Sequence, residues 1–108
     1  MTTREKTSKL LAEFKGRLKR IYGDRLKGVF LYGSHARSEA GPESDVDILV
    51  VLDDWEHYGA EIDRTGAVAS ELSLAYGLSV SQVFVRERDW QQGETPFLLN
   101  AREDAIPA

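Results

Sequence analysis

Apolar residues recur every three to four positions along the first part of the chain, which is the spacing of one face of an α-helix. Thr2 and Glu5 stand at capping-box spacing ahead of this pattern, and Gly23 follows it as a stop signal. The sequence therefore predicts an amphipathic first helix. Its apolar stripe consists of Leu10, Leu11, Phe14, Leu18 and Ile21.

Two short apolar runs after this helix predict β-strands. The run Leu26–Tyr32 is aromatic and β-branched and is bounded by glycines. The run Asp45–Asp53 has a continuous apolar middle, which indicates a strand covered by helices on both faces. The polar segment between them predicts a helical turn at Ser34–Glu39, before a Gly41–Pro42 breaker.

The second half of the chain continues the alternation of helix and strand. A helical pattern from Trp55 to Tyr76 ends at Gly77, and Leu78–Glu87 alternates as a third strand. Thr95–Pro96 predicts an N-cap followed by the first position of a short helix. The stripe of the long helix consists of Ile62, Ala69, Leu72 and Tyr76. The element order predicts an α/β (α+β) fold, with a small mixed β-sheet of about three to four strands backed by helices.

Length and composition restrict the class of protein. A chain of 108 residues fits one domain with one core, so we expect a single domain over residues 1–108. The formal net charge of -4 argues against direct binding of nucleic acid through its phosphates. Cysteine is absent, which excludes disulfides and thiolate metal sites. No apolar run approaches the roughly 20 residues that cross a bilayer, so we expect a cytoplasmic protein that does not enter the membrane.

Two aspartates open the second predicted strand. Side chains alternate along a strand, so Asp45 and Asp47 project to one side, roughly 6 to 7 Å apart along the backbone. Two such anions repel each other, and Mg2+ would offset the repulsion because it prefers oxygen ligands and accepts few carboxylates plus substrate phosphates. For the pair taken alone, a solvated strand end, where Ser44 and Asp45 finish a loop, is the favoured interpretation.

Gly33 and Ser34 change this comparison. A strand that ends in Gly-Ser and turns at once exposes backbone N–H groups and a hydroxyl, which together bind phosphates. Alone, this is an ordinary glycine turn. The combination of Gly-Ser, ten residues and Asp-x-Asp arises by chance on the order of once in a thousand chains of this size.

The segment Gly33–Asp47 resembles the signature of minimal nucleotidyltransferases, small members of the DNA polymerase beta-like superfamily. The resemblance extends over nearly the whole chain. It implies a nucleotidyltransferase-like fold in which Gly33 and Ser34 hold the triphosphate of ATP, the substrate. Asp45 and Asp47 would be the catalytic pair and the ligands of a divalent metal, Mg2+ or Mn2+. Arg37 stands where the family often has a basic residue, and it contacts either phosphate or solvent.

The resemblance also implies a reaction and a partner. The expected function is metal-dependent transfer of AMP from ATP to a hydroxyl of a partner protein, as the antitoxin of a helical HEPN-type toxin. A homo-oligomer is left open. His35 and His57 are expected to be solvated residues rather than ligands.

One part of the family pattern is missing. Members of the family commonly carry a third carboxylate on the next strand, but the candidate positions there are neutral: Ser79, Ser81 and Gln82. Four acids near strand ends are candidates to replace the third carboxylate, although each is expected to be a solvated charge. They are Asp53, Asp54, Glu87 and Asp89. The alternative function is therefore a catalytically weak or inactive nucleotide-binding antitoxin that inhibits its partner by binding.

Overall fold

Four strands form one mixed sheet in the computed structural model, which describes residues 2–41 and 43–108. The elements, in chain order, are α1 (Thr3–Tyr22), β1 (Leu26–Tyr32), β2 (Val46–Leu52), α2 (Tyr58–Tyr76), β3 (Val80–Arg86), α3 (Glu87–Gln92), α4 (Pro96–Asp104) and β4 (Ile106–Pro107). A short 3-10 turn, Gly23–Arg25, joins α1 to β1.

The sheet has the strand order β3-β2-β1-β4. β1 runs antiparallel to both β2 and β4, whereas β2 and β3 are parallel and are joined through α2. A parallel pair needs a long crossover, and the helix supplies it. The expected mixed sheet backed by helices is confirmed.

Strand β2 lies between two hydrophobic clusters on opposite faces of the sheet. Val46, Ile48, Val50 and Leu52 face α1 and α2, and Leu49 and Val51 face α4. All six side chains are at most 1% exposed, which confirms the prediction of a strand buried on both faces. Burial of this kind fixes the register of β2, because a shift by one residue would exchange its two faces.

Helix ends follow the predicted signals. The Thr2 hydroxyl accepts a hydrogen bond of 3.1 Å from the Glu5 amide at the start of α1. Gly77 adopts the left-handed conformation (φ +65°) that ends α2. At the start of α4, the Thr95 hydroxyl accepts a bond of 3.3 Å from the Leu98 amide, with Pro96 at the first helical position.

The buried stripes of the two long helices differ from the predicted ones. Ile21 is 38% exposed, and its neighbour Tyr22 is buried instead, because the Tyr22 hydroxyl donates a 2.7 Å hydrogen bond to buried Glu61 of α2. Helix α2 begins at Tyr58 rather than Trp55 and buries polar side chains. Its buried residues are Glu61, Thr65, Val68 and Leu72, while Ile62, Ala69 and Tyr76 pack at the margin of the core.

The sequence pattern did not predict two short elements, and one predicted residue lies outside the described part of the chain. Helix α3 and strand β4 were not predicted, since six and two residues respectively carry little periodic signal. Pro42, part of the predicted breaker, lies outside the described residues. Within the described part of the chain, no helix is both long and apolar enough to cross a membrane.

The outer edge of β3 is partly covered by a side chain of α2. The Tyr58 hydroxyl accepts a 3.3 Å hydrogen bond from the backbone N–H of Phe84. The Tyr58 ring also packs edge-on against the Phe84 ring, at 6.1 Å between centroids.

Candidate functional site

A single hydrogen-bonded turn follows β1. The Arg37 amide donates to the Gly33 carbonyl (3.1 Å), and the Glu39 amide donates to the Ser34 carbonyl (2.9 Å). The predicted helical turn at Ser34–Glu39 is thus present as one turn and does not continue as a helix. Within the described residues, the first amides of the turn, those of residues 34–36, donate to no other residue.

Gly33 is required where the turn meets β2. Its φ is +75°, a conformation that L side chains rarely adopt. A Cβ at this position would collide with the carboxylate of Asp47 and lie 3.4 Å from the Asp47 Cβ. The backbone of the turn therefore approaches Asp47 more closely than any side chain at residue 33 would allow.

Asp47 occupies a defined place in the sheet. It pairs with Tyr32 of β1 and with Ser81 of β3, so the three side chains point to the same face. This is the face covered by α4, because Leu49 and Val51 alternate with the residues that face α1 and α2. Asp45, directly before β2, is exposed, whereas Asp47 is half-buried.

The negative charge of the two aspartates is not neutralised by contacts. Across residues 2–41 and 43–108, neither carboxylate accepts a hydrogen bond or forms an ion pair. Burial raises the pKa of Asp47, the charge of Asp45 raises it further, and His35 and Arg37 lower it. The site therefore presents anionic oxygens that no side chain among the described residues pairs with.

Tyr32 and Phe97 form an aromatic border beside Asp47. Their rings are perpendicular, with 5.7 Å between centroids, and Phe97 is 42% exposed. Burial, followed by the charge of Asp47, raises the pKa of Tyr32 to about 12, so its phenol stays protonated at neutral pH. The sequence pattern did not point to this pair, because Phe97 reaches the site only through the packing of α4.

Arg37 pairs with two carboxylates and remains exposed to solvent. Its guanidinium donates to Asp104 of α4 (2.6 Å) and to Glu39 (3.2 Å). These two carboxylates raise the pKa of Arg37 through hydrogen bonding. Asp104 was not among the predicted site residues, since 67 positions separate it from Arg37 and no local signal connects them.

The expectation of a solvated His35 is wrong. The ring is half-buried, with Nδ1 3.5 Å from the Thr7 hydroxyl of α1 and Nε2 3.2 Å from the Ser44 carbonyl. Local pattern gave no indication of these contacts, because they join segments far apart in sequence. His57 is exposed before α2 and makes no capping hydrogen bond with its side chain.

Of the neutral candidates for the third acid, only Ser81 lies beside the aspartates. It is exposed and pairs with Asp47 in the parallel ladder. Gln82 points to the opposite face, where its amide donates to Thr65 (2.8 Å). Ser79 lies before β3, and its carbonyl accepts from the Val46 amide (2.7 Å).

The four acidic substitutes lie at the other end of the sheet. Asp53 and Asp54 follow β2 and pair with Arg25 and Arg86, respectively. Glu87 and Asp89 belong to α3, which follows the parallel strand β3 at the same end. A strand of seven residues is roughly 20 Å long, so these acids do not reach Asp45 and Asp47. The described residues contain no group of three acidic, histidine or cysteine side chains that could hold a metal.

The sequence and the fold together define a class of protein. The model of the family described as nucleotidyltransferase domain matches residues 11–105. A Methanocaldococcus jannaschii protein named "Putative protein adenylyltransferase MJ0604" is 34% identical over 79 residues, which cover 73% of this chain and 73% of that protein. The chain belongs to the nucleotidyltransferase domain family, and the resemblance stated from its motif is confirmed.

Solved structures support the same fold. A structure described as "toxin-antitoxin with AMP-PNP" matches with a TM-score of 0.60 at 19% identity, covering 98% of this chain and 72% of that one. A structure described as a "putative minimal nucleotidyltransferase" matches with a TM-score of 0.57 at 25% identity, covering 94% and 95% of the two chains. The first likeness is one of fold, and both agree with the nucleotidyltransferase-like architecture.

Proposed function

We propose that this nucleotidyltransferase carries AMP from ATP to a hydroxyl group on a partner protein. The observation that carries the proposal is a pair of aspartates, Asp45 and Asp47, that no cationic side chain among the described residues pairs with, placed beside the turn at Gly33 and Ser34. An anionic pair beside free amides has the composition needed for a metal-bound triphosphate.

The carboxylates fit one divalent cation. Asp45 lies close enough to Asp47 for its charge to raise the Asp47 pKa, and a cation bound between them would relieve the cost of placing the two charges together. Mg2+ or Mn2+ held there would neutralise charge on the phosphates and orient the leaving group.

The turn would bind the phosphates. Its first amides are free to donate, and the Ser34 hydroxyl stands at the same end. Arg37 follows on the same turn and is 42% exposed, so its guanidinium can exchange a carboxylate partner for phosphate. Gly33 lets the backbone come close, as its conflict with any Cβ indicates.

The proposed reaction is an in-line displacement at the α-phosphorus. The acceptor hydroxyl oxygen forms a bond to that phosphorus, and the bond from phosphorus to the bridging oxygen breaks. Pyrophosphate leaves, and the hydroxyl proton is released to solvent. The chain contributes mainly by orienting the triphosphate, since alignment of reacting groups supplies much of the rate in such transfers.

The acceptor and partner are inferred from similarity to other proteins and from the exposure of the site. The M. jannaschii relative is named a protein adenylyltransferase, and one structure of the same fold is a toxin-antitoxin with AMP-PNP. Asp45 and Ser81 are exposed beside half-buried Asp47, so the site is an open surface that can meet a hydroxyl on another protein. We therefore assign the acceptor to a helical HEPN-type toxin in the cytoplasm.

A second function is supported by a specific observation. Ser81 stands beside Asp47 where an acidic side chain would complete the site, and the described residues provide no third metal-binding acid there. A neutral ligand supports a second divalent cation weakly. On this alternative, the chain binds nucleotide and inhibits its partner without transferring AMP.

Measurements of nucleotide binding and of AMP transfer distinguish the two proposed functions. Calorimetry with ATP and Mg2+ should detect binding by the chain alone, with little transfer. Incubation with the proposed toxin partner should then give an AMP adduct in the intact mass of that partner. Stoichiometric inhibition with no adduct, for any of the four nucleotides and with Mg2+ or Mn2+, would favour the binding function instead.

A further inference from the structure

We propose that His35 is a positioning residue, whose imidazole fixes the phosphate turn against the start of β2. The inference deepens the proposed function and rests on it, because it explains how the turn and the two aspartates keep their separation. His35 is not assigned to contact ATP or metal.

The ring of His35 joins three separate segments. Its Nε2 lies 3.2 Å from the carbonyl of Ser44, the residue directly before Asp45. Its Nδ1 lies 3.5 Å from the hydroxyl of Thr7, which is 4% exposed in the packed face of α1. The turn, the entry to β2 and α1 therefore meet at one side chain.

The direction of one of these contacts is fixed by its partner. The Ser44 carbonyl can only accept, so the Nε2 of His35 is the donor in that contact. The Thr7 hydroxyl also lies 2.8 Å from the Thr3 carbonyl, to which it donates. A side chain without an N–H therefore cannot replace the contact with Ser44.

The position of His35 connects these contacts to the site. It follows Ser34 directly, and its bond to Ser44 closes the loop that separates the phosphate turn from Asp45. In the described residues, the other side-chain bond closing this loop is local, between Ser44 and Gly41 (3.0 Å). Loss of the imidazole would let the turn move relative to the aspartates while leaving both in place.

A cavity of about 550 Å³ lies behind the turn and offers a direct test. It is bounded by Thr7 and Ser8 of α1, by His35 and Ala36 of the turn and by Ile106 of β4. Removing the His35 side chain would extend this cavity, so free imidazole can reach the vacated position.

The test compares three substitutions at His35 in the full chain. His35→Ala should speed hydrogen exchange at the Arg37 and Glu39 amides of the nucleotide-free protein and weaken ATP binding in Mg2+ by roughly tenfold, or about 1.4 kcal/mol. His35→Gln retains a donor toward Ser44 and should recover most of the affinity. His35→Asn retains a polar group only toward Thr7 and should recover less.

Free imidazole and a matched control complete the design. Imidazole should restore both slow exchange and ATP affinity to His35→Ala, and His57→Ala should behave as the unsubstituted protein. Unchanged ATP affinity in His35→Ala, while Asp47→Asn loses binding, would overturn the positioning role but not the proposed function. An affinity loss that neither glutamine nor imidazole reverses would overturn it too. If His35→Ala exchanges faster yet no aspartate variant affects binding, the proposed function fails.

Discussion

Asp47 is part of a buried strand and also carries a charge, and these two properties conflict when no ligand is bound. Its backbone continues the most buried strand, and its carboxylate lies half-buried beside Asp45 with no cation in contact among the described residues. Because the pKa of Asp47 is raised in the folded protein, the folded chain binds that proton more tightly than the unfolded chain. Ionised Asp47 therefore costs stability in full above its folded pKa. The cost shrinks as the pH falls through that value, and it is gone below the ordinary pKa of aspartate, 3.8.

Asp47→Asn should consequently raise the melting temperature at neutral pH and abolish measurable ATP binding in Mg2+. The gain in stability should vanish in buffer below pH 3.8, the ordinary pKa of aspartate, because the carboxyl group of Asp47 is then protonated in the unsubstituted protein as well. Asp45→Asn should also abolish binding. Thermal unfolding across this pH range and calorimetry with ATP test both statements. ATP affinity that is unchanged in both variants would contradict the metal-site assignment.

Gly33 gives a second test at the level of one residue. Gly33→Val should destabilise the fold by about 1–2 kcal/mol, because a branched side chain is strained at positive φ and collides with Asp47. It should also weaken ATP binding by displacing the turn. Gly16→Ala in α1, where a Cβ meets nothing within 4 Å, is the matched control and should stabilise by up to about 1 kcal/mol. Nucleotide affinity retained in Gly33→Val would remove the phosphate role of the turn.

The sequence predicted the part of the candidate site whose residues lie close together along the chain. Gly33, Ser34, Asp45 and Asp47 lie within one continuous segment, so their spacing is visible in the sequence. The contacts of His35 with α1 and of Arg37 with Asp104 were not, since they depend on how distant elements pack. The capping signals and the two-sided burial of β2 are local as well, and both were predicted.

At the scale of elements, the pairing of β2 with β3 determines how complete the site is. The parallel register places Ser81 beside Asp47, and the next residue, Gln82, faces α2. The pairing register of two strands cannot be deduced from the sequence of one chain. The position of Ser81 beside Asp47 therefore became known only from the structure. Helix α3 and strand β4 were missed because their stability comes from contacts with other elements rather than from their own pattern.

Ser81→Asp should therefore complete a stronger metal site. The added carboxylate should raise Mn2+ affinity by about tenfold, or about 1.4 kcal/mol, and increase the rate of AMP transfer. The metal-free variant should be less stable than the unsubstituted protein, because a third negative charge joins the pair. Ser70→Asp, at an exposed position of α2, introduces the same charge away from the site. It should change neither the Mn2+ affinity nor the rate of AMP transfer. Equal metal affinity in the two variants would show that Ser81 does not face the aspartates.

At the scale of the whole molecule, β2 contributes more buried residues to the two hydrophobic clusters than β3, which adds Phe84 to one and Val85 to the other. β2 contributes alternate residues to each face, so neither cluster can form without it. Trp55 packs against the larger cluster and Trp90 against the smaller one. The two tryptophans thus report separately on the two sides of the sheet.

We expect a single cooperative unfolding transition over residues 1–108. Denaturant curves of Trp55→Phe, which reports through Trp90, and of Trp90→Phe, which reports through Trp55, should each coincide with the curve from far-ultraviolet circular dichroism of the same variant. Separate midpoints for the fluorescence and circular dichroism of one variant would show that the two faces melt independently, and the proposal of one domain would be wrong.

The contact of Tyr58 with the outer edge of β3 bears on how concentrated solutions of the protein behave. An uncovered strand edge invites a strand of another molecule to add to the sheet, which begins aggregation. The Tyr58 hydroxyl already accepts from the Phe84 amide, so an approaching strand must first displace it. Tyr58→Phe keeps the aromatic packing and removes only this bond. On storage at high concentration, the variant should scatter more light and precipitate sooner than the unsubstituted protein, at nearly the same melting temperature. Equal shelf life would mean that the fold resists sheet extension at this edge by other means.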